Sequence, residues 1–162
     1  SDYPEKNNVI SIYSLSKGYG LTGIRVGYIV SNENMIASIA PFHHAMNICA
    51  PVNAQYASIE ALNHSRSWFD EEMKNININR KLWIDTLRDL EIPFGESQGA
   101  YYICFDISKF KKSSTEVSKD LREKHKLIIN SQDEKYLRAS FMADKDTLEI
   151  GLNKLSEYFK NM

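Results

Sequence analysis

The most constraining feature is one apolar stripe in the middle of the chain. Phe69, Met73, Ile76, Trp83, Leu87 and Leu90 recur at alternating spacings of four and three, with Arg80 in the one missing place. Residues three and four apart share a face of an α-helix, so this spacing predicts one long helix with a single buried side. Ser67 followed by Asp70 resembles a capping box, Glu71 and Glu72 suit a helix start, and Pro93 stops the helix. A helix of that length divides the chain into 1–66, 67–91 and 92–162.

Before the helix, Val9 to Ser16 is rich in β-branched and aromatic residues and reads as a strand. Gly18, Gly20, Gly23 and Gly27 punctuate the next stretch, and Val26 to Val30 reads as a second strand. Asn32 suits the cap of a helix from Glu33 towards His43, with Pro41 favouring an earlier end or a kink. Pro51 suits the first turn of another helix, through about Leu62. Ser1 to Asn8 reads as polar loop. Two strands rarely make a stable sheet alone, so the first part reads as the remnant of a larger α/β unit.

After the helix, Tyr101, Ile103, Phe105 and Ile107 alternate with Tyr102, Cys104 and Asp106, as in a strand. One of the two tyrosines is then expected in the core. Ser113 and Glu116 suit the cap of a helix carrying Val117 and Leu121, with the charge-rich 109–126 stretch as its solvated face. Leu127-Ile128-Ile129 and Tyr136 to Phe141 read as strands. Asp144 or Asp146 opens a last helix with Leu148, Leu152, Leu155 and Phe159 on one face. The predicted order is two strands, three helices, then β-α-β-β-α. Trp68 and Trp83 read as packing anchors of the stripe.

Composition narrows function mainly by exclusion. The 162 residues carry a formal net charge of -1, which argues against nucleic acid or an anionic membrane as partner. No stretch approaches the ~18 uncharged apolar residues of a membrane span, and no secretory leader is visible. Cys49 and Cys104 stand far apart without close Cys or His spacing. That supports neither disulfide nor metal site, and points to two buried, reduced thiols in a cytoplasmic protein.

The chemistry concentrates between Ser14 and Gly27. A strand delivers Ser14, Ser16 and the Lys17 amine at its C-terminal end, glycines let the backbone approach a ligand, and Arg25 stands eight residues after the lysine. An amine suits attack on a carbonyl, while a guanidinium and hydroxyls suit a phosphate. It is no Walker loop, because Lys17 precedes the glycines. On residue types alone a phosphosugar or nucleotide binder using Arg25, or a solvated Lys17, stays open. His43 and His44 lie near a helix end, where solvated histidines are ordinary.

Position by position, Ser14 through Gly27 resembles the cofactor-lysine signature of class-I/II aminotransferases, of the aspartate-aminotransferase kind. The pattern has Ser or Gly three before Lys, a small residue just before it, Arg eight after, and Gly or Ala two beyond that Arg. "APVNAQYASIEAL" is similar to the family's lead into its long interdomain helix. "GAYYICFDI" is similar to its small-domain strand, and "EKYLRASFMADKDTLEIGLNKL" to its last strand and helix.

The resemblance implies an α/β chain forming the C-terminal part of the pyridoxal-phosphate (PLP)-dependent transferase fold. Its parts would be the edge of the large-domain sheet, the long interdomain helix and an α+β small domain. It implies PLP bonded to Lys17, with Ser14 and Arg25, and less strongly Ser16, holding the phosphate. Arg138 would hold the substrate's α-carboxylate. It implies transamination between an amino acid and a 2-oxo acid, of aspartate or aromatic type, by a homodimer. The family's pyridine-nitrogen aspartate lies well upstream of the lysine, and Asp2 is too close to serve, so the chain reads as a fragment, doubtful in activity alone. "INSQDEK" lacks the family's usual loop before the last strand and brings in a histidinol-phosphate-type relative as an alternative. A non-catalytic dimerisation module is the other.

Overall fold

A computed structural model describes residues 8–64 and 66–162, with only the backbone at residue 66. Asp2 and most of the opening polar stretch lie outside the described residues. The chain divides into two compact units, the first ending at Asp70 and the second spanning Glu71–Met162.

In the first unit, β1 (Ser11–Ser14) leads into one helical turn, α1 (Leu15–Gly18), then a 3-10 turn at Thr22–Ile24 and β2 (Gly27–Val30). The two strands pair antiparallel, Ser11 opposite Val30 through Ser14 opposite Gly27. Tyr13 and Tyr28 stack across them at 4.9 Å. The helix α2 (Glu33–Asn47) is capped by Asn32, whose side chain accepts from the Met35 N–H. It runs through Pro41 without ending there, a correction to the expected stop. The loss of one backbone donor is absorbed within fifteen helical residues, and the turn closes only at Ile48, which adopts a positive φ. Next comes α3 (Val52–His64), with the Pro51 carbonyl accepting from the Gln55 N–H.

The long helix α4 (Arg66–Asp89) spans the predicted stripe. Ser67 lies inside it and not at its cap, because the helical backbone already begins at Arg66. Trp68 is 46% exposed, one position off the stripe that Phe69 occupies, so it is no packing anchor, whereas Trp83 is buried. The helix ends before Pro93, at a left-handed residue. Glu91 has φ 52°, its N–H donates to the Arg88 carbonyl, and the Ile92 N–H reaches back to the Leu87 carbonyl. That is the Schellman closure, usually built on glycine. The Lys109 ammonium donates to the Leu90 and Glu91 carbonyls at 2.7 and 2.9 Å, placing a cation on the helix's negative end. Glu91→Gly is expected to raise stability by about 0.5–1 kcal/mol, the relieved left-handed strain exceeding glycine's extra entropy cost. Urea unfolding measures it; a loss of stability would contradict the assignment.

The second unit adds β3 (Tyr102–Asp106), a 3-10 turn at Ser108–Phe110, α5 (Ser114–His125), β4 (Asn130–Ser131), β5 (Tyr136–Ser140) and α6 (Lys145–Lys160). The sheet order is β3-β5-β4, all antiparallel. One sheet face carries Ile103, Phe105, Leu137 and Ala139. It packs with Trp83 and Leu87 of α4, Val117 and Leu121 of α5, and Leu148, Leu152, Leu155 and Phe159 of α6. Asn79, in an Asn-rich stretch that weakens helix propensity, is buried and donates to the carbonyls of Phe141 and Ala143. It ties α4 to the turn after β5.

Ser113 and Glu116 form the predicted capping box, and Asp144 caps α6 through the Thr147 N–H. Leu127 to Ile129 is not a strand. Lys126 closes α5 in a left-handed conformation, and those residues are the exit from that turn, with Ile128 74% exposed and Ile129 buried. The pairing starts only at Asn130. Both cysteines are free but exposed, not buried. Cys104 falls on the outward parity of β3. Tyr101 is half-buried against the core, and neither tyrosine of the pair is fully enclosed.

Four carboxyls of this unit are held below the ordinary carboxylate range. Asp106 is lowered by the Ser108 hydroxyl and N–H, Glu116 by the Ser113 N–H and hydroxyl, Asp120 by Lys124, and Asp144 by the Thr147 N–H and hydroxyl. A carboxyl more acidic in the folded state stabilises the fold above its unfolded pKa, and that stabilisation disappears as pH falls through the folded value. The urea midpoint of the second unit is therefore expected to be flat above about pH 5 and to drop below about pH 4. A midpoint rising on acidification would contradict it.

Candidate active site

The loop from Ser14 to Gly27 is built from its own backbone. Leu15 and Ser16 are buried and anchor the turn. The Ser14 hydroxyl accepts from the Ser16 N–H at 3.2 Å, which starts α1. The Leu15 carbonyl accepts from the N–H groups of Tyr19 and Leu21, and the Leu15 N–H donates to the Val26 carbonyl. The Thr22 hydroxyl donates to the Ser16 carbonyl at 2.8 Å and draws the 3-10 turn back onto α1. Gly27 sits opposite Ser14, and a Cβ there would collide with the Tyr13 carbonyl. Only glycine permits that close pairing, which shuts the loop at its base.

Ser14, Lys17 and Arg25 are all exposed on this closed loop. Arg25 has φ 55° and ψ 51°, a left-handed conformation that costs a non-glycine residue on the order of 1 kcal/mol. Its Nη1 donates to the Thr22 carbonyl at 3.0 Å, which turns the tip of the side chain back onto the loop. From Val9 to Val30 the sequence has no Asp or Glu, so the loop's own formal charge is positive. Of the four predicted residues here, Ser16 is set apart, being buried beneath the turn. Thr22 is the tie that sequence reasoning missed, because one threonine in a glycine-rich stretch carries no distinguishing signal.

Arg138 belongs to the second unit, on the outward face of β5. It lies directly opposite Cys104 of β3 and Asn130 of β4. Its guanidinium carbon lies 4.8 Å from the centroid of the Tyr102 ring. The side chain is half-buried, and its Nε is enclosed with no hydrogen-bond partner among the described residues. A guanidinium has the fork of N–H donors that suits a carboxylate. His43 and His44 are exposed on α2. Among the described residues no group of three or more His, Cys, Asp or Glu is placed to hold a metal ion, and no helix is long and apolar enough to cross a membrane.

The profile of the family described as "Aminotransferase class I and II" matches residues 1–155. The chain is 30% identical over 161 residues to an aspartate aminotransferase of Pyrococcus horikoshii, covering 93% of this chain and 41% of that protein. It is 25% identical to aromatic-amino-acid aminotransferase 2 of Thermococcus litoralis, covering 93% and 41%. Among solved structures, an aminotransferase from Mycobacterium tuberculosis superposes with a TM-score of 0.86 at 24% identity, covering 96% of this chain and 42% of that one. The aspartate aminotransferase of Thermotoga maritima gives 0.83 at 21% identity, covering 95% and 40%. The chain thus spans about two-fifths of the length of the curated relatives it matches. The fold is that of part of these enzymes, and the chain belongs to the class I and II aminotransferase family.

Proposed function

We propose that this chain carries the cofactor lysine, the phosphate grip and the substrate-carboxylate arginine of a PLP-dependent aminotransferase. The observation that carries the reading is the closed loop 14–27. It exposes an amine, a hydroxyl and a guanidinium in a stretch whose sequence has no Asp or Glu. Those groups match an aldehyde and a phosphate ester on one ligand. The family is generally PLP-dependent, and the names of the relatives favour an amino acid of aspartate or aromatic type with a 2-oxo acid as acceptor.

When bound, PLP supplies an electron sink for the negative charge that develops at the substrate α-carbon. The Lys17 Nζ would hold PLP as a nucleophile through the aldehyde carbon, the carbonyl oxygen leaving as water. Freed by exchange with the substrate's amine, the Lys17 amine would serve as the general base and acid that moves the substrate's α-proton. Arg25 and the Ser14 hydroxyl hold phosphate oxygens and so fix the ring's position relative to Lys17. Ser16, buried under the turn, contributes mainly through the carbonyl that Thr22 grips. Arg138 holds the α-carboxylate and thereby orients the bond that breaks.

The reading includes a homodimer in the cytoplasm. The first unit exposes Phe42, Met46, Val52, Tyr56 and Ile59, a set of large apolar side chains that supports association. The two free thiols suit a reducing compartment. Titrating the full chain with PLP and with pyridoxal, which lacks the phosphate, tests the grip. PLP is expected to bind at least about tenfold tighter, from one or more charge-assisted hydrogen bonds. Equal affinities would overturn the assignment of Ser14 and Arg25.

A further inference from the structure

The outward face of the second unit's sheet presents a row around Arg138. Asn130 and Cys104 flank it directly across the strands, and Tyr102 sits diagonally, two residues along β3 from Cys104. Directly paired residues share a face with Cβ atoms about 5 Å apart, and diagonal neighbours are within reach of long side chains. The Tyr102 ring uses that reach, lying beneath the Arg138 guanidinium carbon at 4.8 Å. Tyr102 is itself held. The Ser97 hydroxyl donates to its carbonyl at 2.9 Å, and the neighbouring Tyr101 ring lies 4.8 Å away, its carbonyl accepting from the Phe141 N–H.

A guanidinium stacked on an aromatic face loses freedom to tilt while its in-plane N–H edge stays available. A bidentate clamp on a carboxylate needs that combination, because both N–H bonds must lie in one plane with the two oxygens. We propose that Tyr102 is a positioning residue that pins the Arg138 guanidinium by stacking, so that its N–H edge is presented to the substrate carboxylate. This rests on Arg138 being the carboxylate grip. The ring face makes the contact, so Phe should replace Tyr.

Cys104 supplies a local reporter, since a carboxylate seated on Arg138 lies beside its thiol. In the full chain with Cys49→Ser, the pyruvate concentration that half-protects Cys104 from iodoacetamide measures occupancy at Arg138. Tyr102→Phe is expected to match the parent, Tyr102→Leu to need about fivefold more pyruvate, and Arg138→Gln to show no protection. The Arg138 Nε–H resonance in Tyr102→Leu is expected to show faster side-chain motion, which a merely structural role for Tyr102 would not produce. Tyr102→Leu protected like the parent, with Arg138→Gln unprotected, would overturn the positioning role and leave the arginine's role standing. Tyr102→Phe weakened as much as Tyr102→Leu would overturn the stacking argument. Protection that survives Arg138→Gln, or none in the parent, would overturn the arginine's role and the positioning role with it.

Discussion

Lys17→Ala is expected to abolish covalent PLP capture by this chain and, in the aminotransferase reading, all transamination. The expectation comes from the loop's chemistry. Lys17 is the only primary amine between Val9 and Val30, and no His, Asp or Glu in that stretch stands ready to replace it as nucleophile or base. In that reading the lost group would both bond the cofactor and move the proton, so the effect is expected to exceed the ~10²–10⁴-fold typical of general base catalysis alone. Non-covalent PLP affinity is expected to survive in part, because Ser14 and Arg25 are untouched. Absorbance of the variant with PLP checks this; the parent's band persisting unchanged would remove Lys17 from its role.

Arg25→Gly separates backbone strain from ligand grip. Arg25 holds a left-handed backbone that glycine would adopt freely, so the apo loop is expected to be no less stable in the variant. The same change removes a guanidinium able to make two charge-assisted bonds to phosphate, each worth roughly 1.5–3 kcal/mol. PLP is therefore expected to bind on the order of a hundredfold more weakly, while pyridoxal binds as before. Arg25→Lys is expected to fall between, keeping charge but losing the fork and the bond from Nη1 to the Thr22 carbonyl. Parallel titrations of the three proteins, with urea unfolding of each, measure both effects. Undiminished PLP affinity in Arg25→Gly would contradict the phosphate role.

The parts of the fold legible in the sequence are those whose causes are local. The stripe from Phe69 to Leu90, the Ser113–Glu116 box and the Asp144 cap each depend on residues within a turn or two, and all but the start of α4 formed as expected. The inner parity of β3, with Ile103 and Phe105, is readable from alternation. The same alternation already places Cys104 outward with Asp106, against the general tendency of cysteine to be buried. The missed features have non-local or backbone causes. Leu127 to Ile129 looks like a strand by composition, but the left-handed Lys126 commits those residues to leaving a helix. Nothing in the residue type announces a positive φ at Arg25, Glu91 or Lys126. Asn79 finds its partners 62 and 64 residues away, a distance no window of sequence spans. In the site, residue types offered an amine, two hydroxyls and a guanidinium for a carbonyl and a phosphate, and the family resemblance gave Lys17, Ser14 and Arg25 their expected roles. The Thr22 tie and the Tyr102 stack needed coordinates.

Borohydride reduction of the full chain incubated with PLP, then peptide mapping, tests the central proposal most directly. One dominant phosphopyridoxyl adduct is expected, on the peptide bearing residue 17, and free inorganic phosphate suppresses it by competing at Arg25. Label spread evenly over the exposed lysines, with residue 17 no more reactive than the rest, would contradict it.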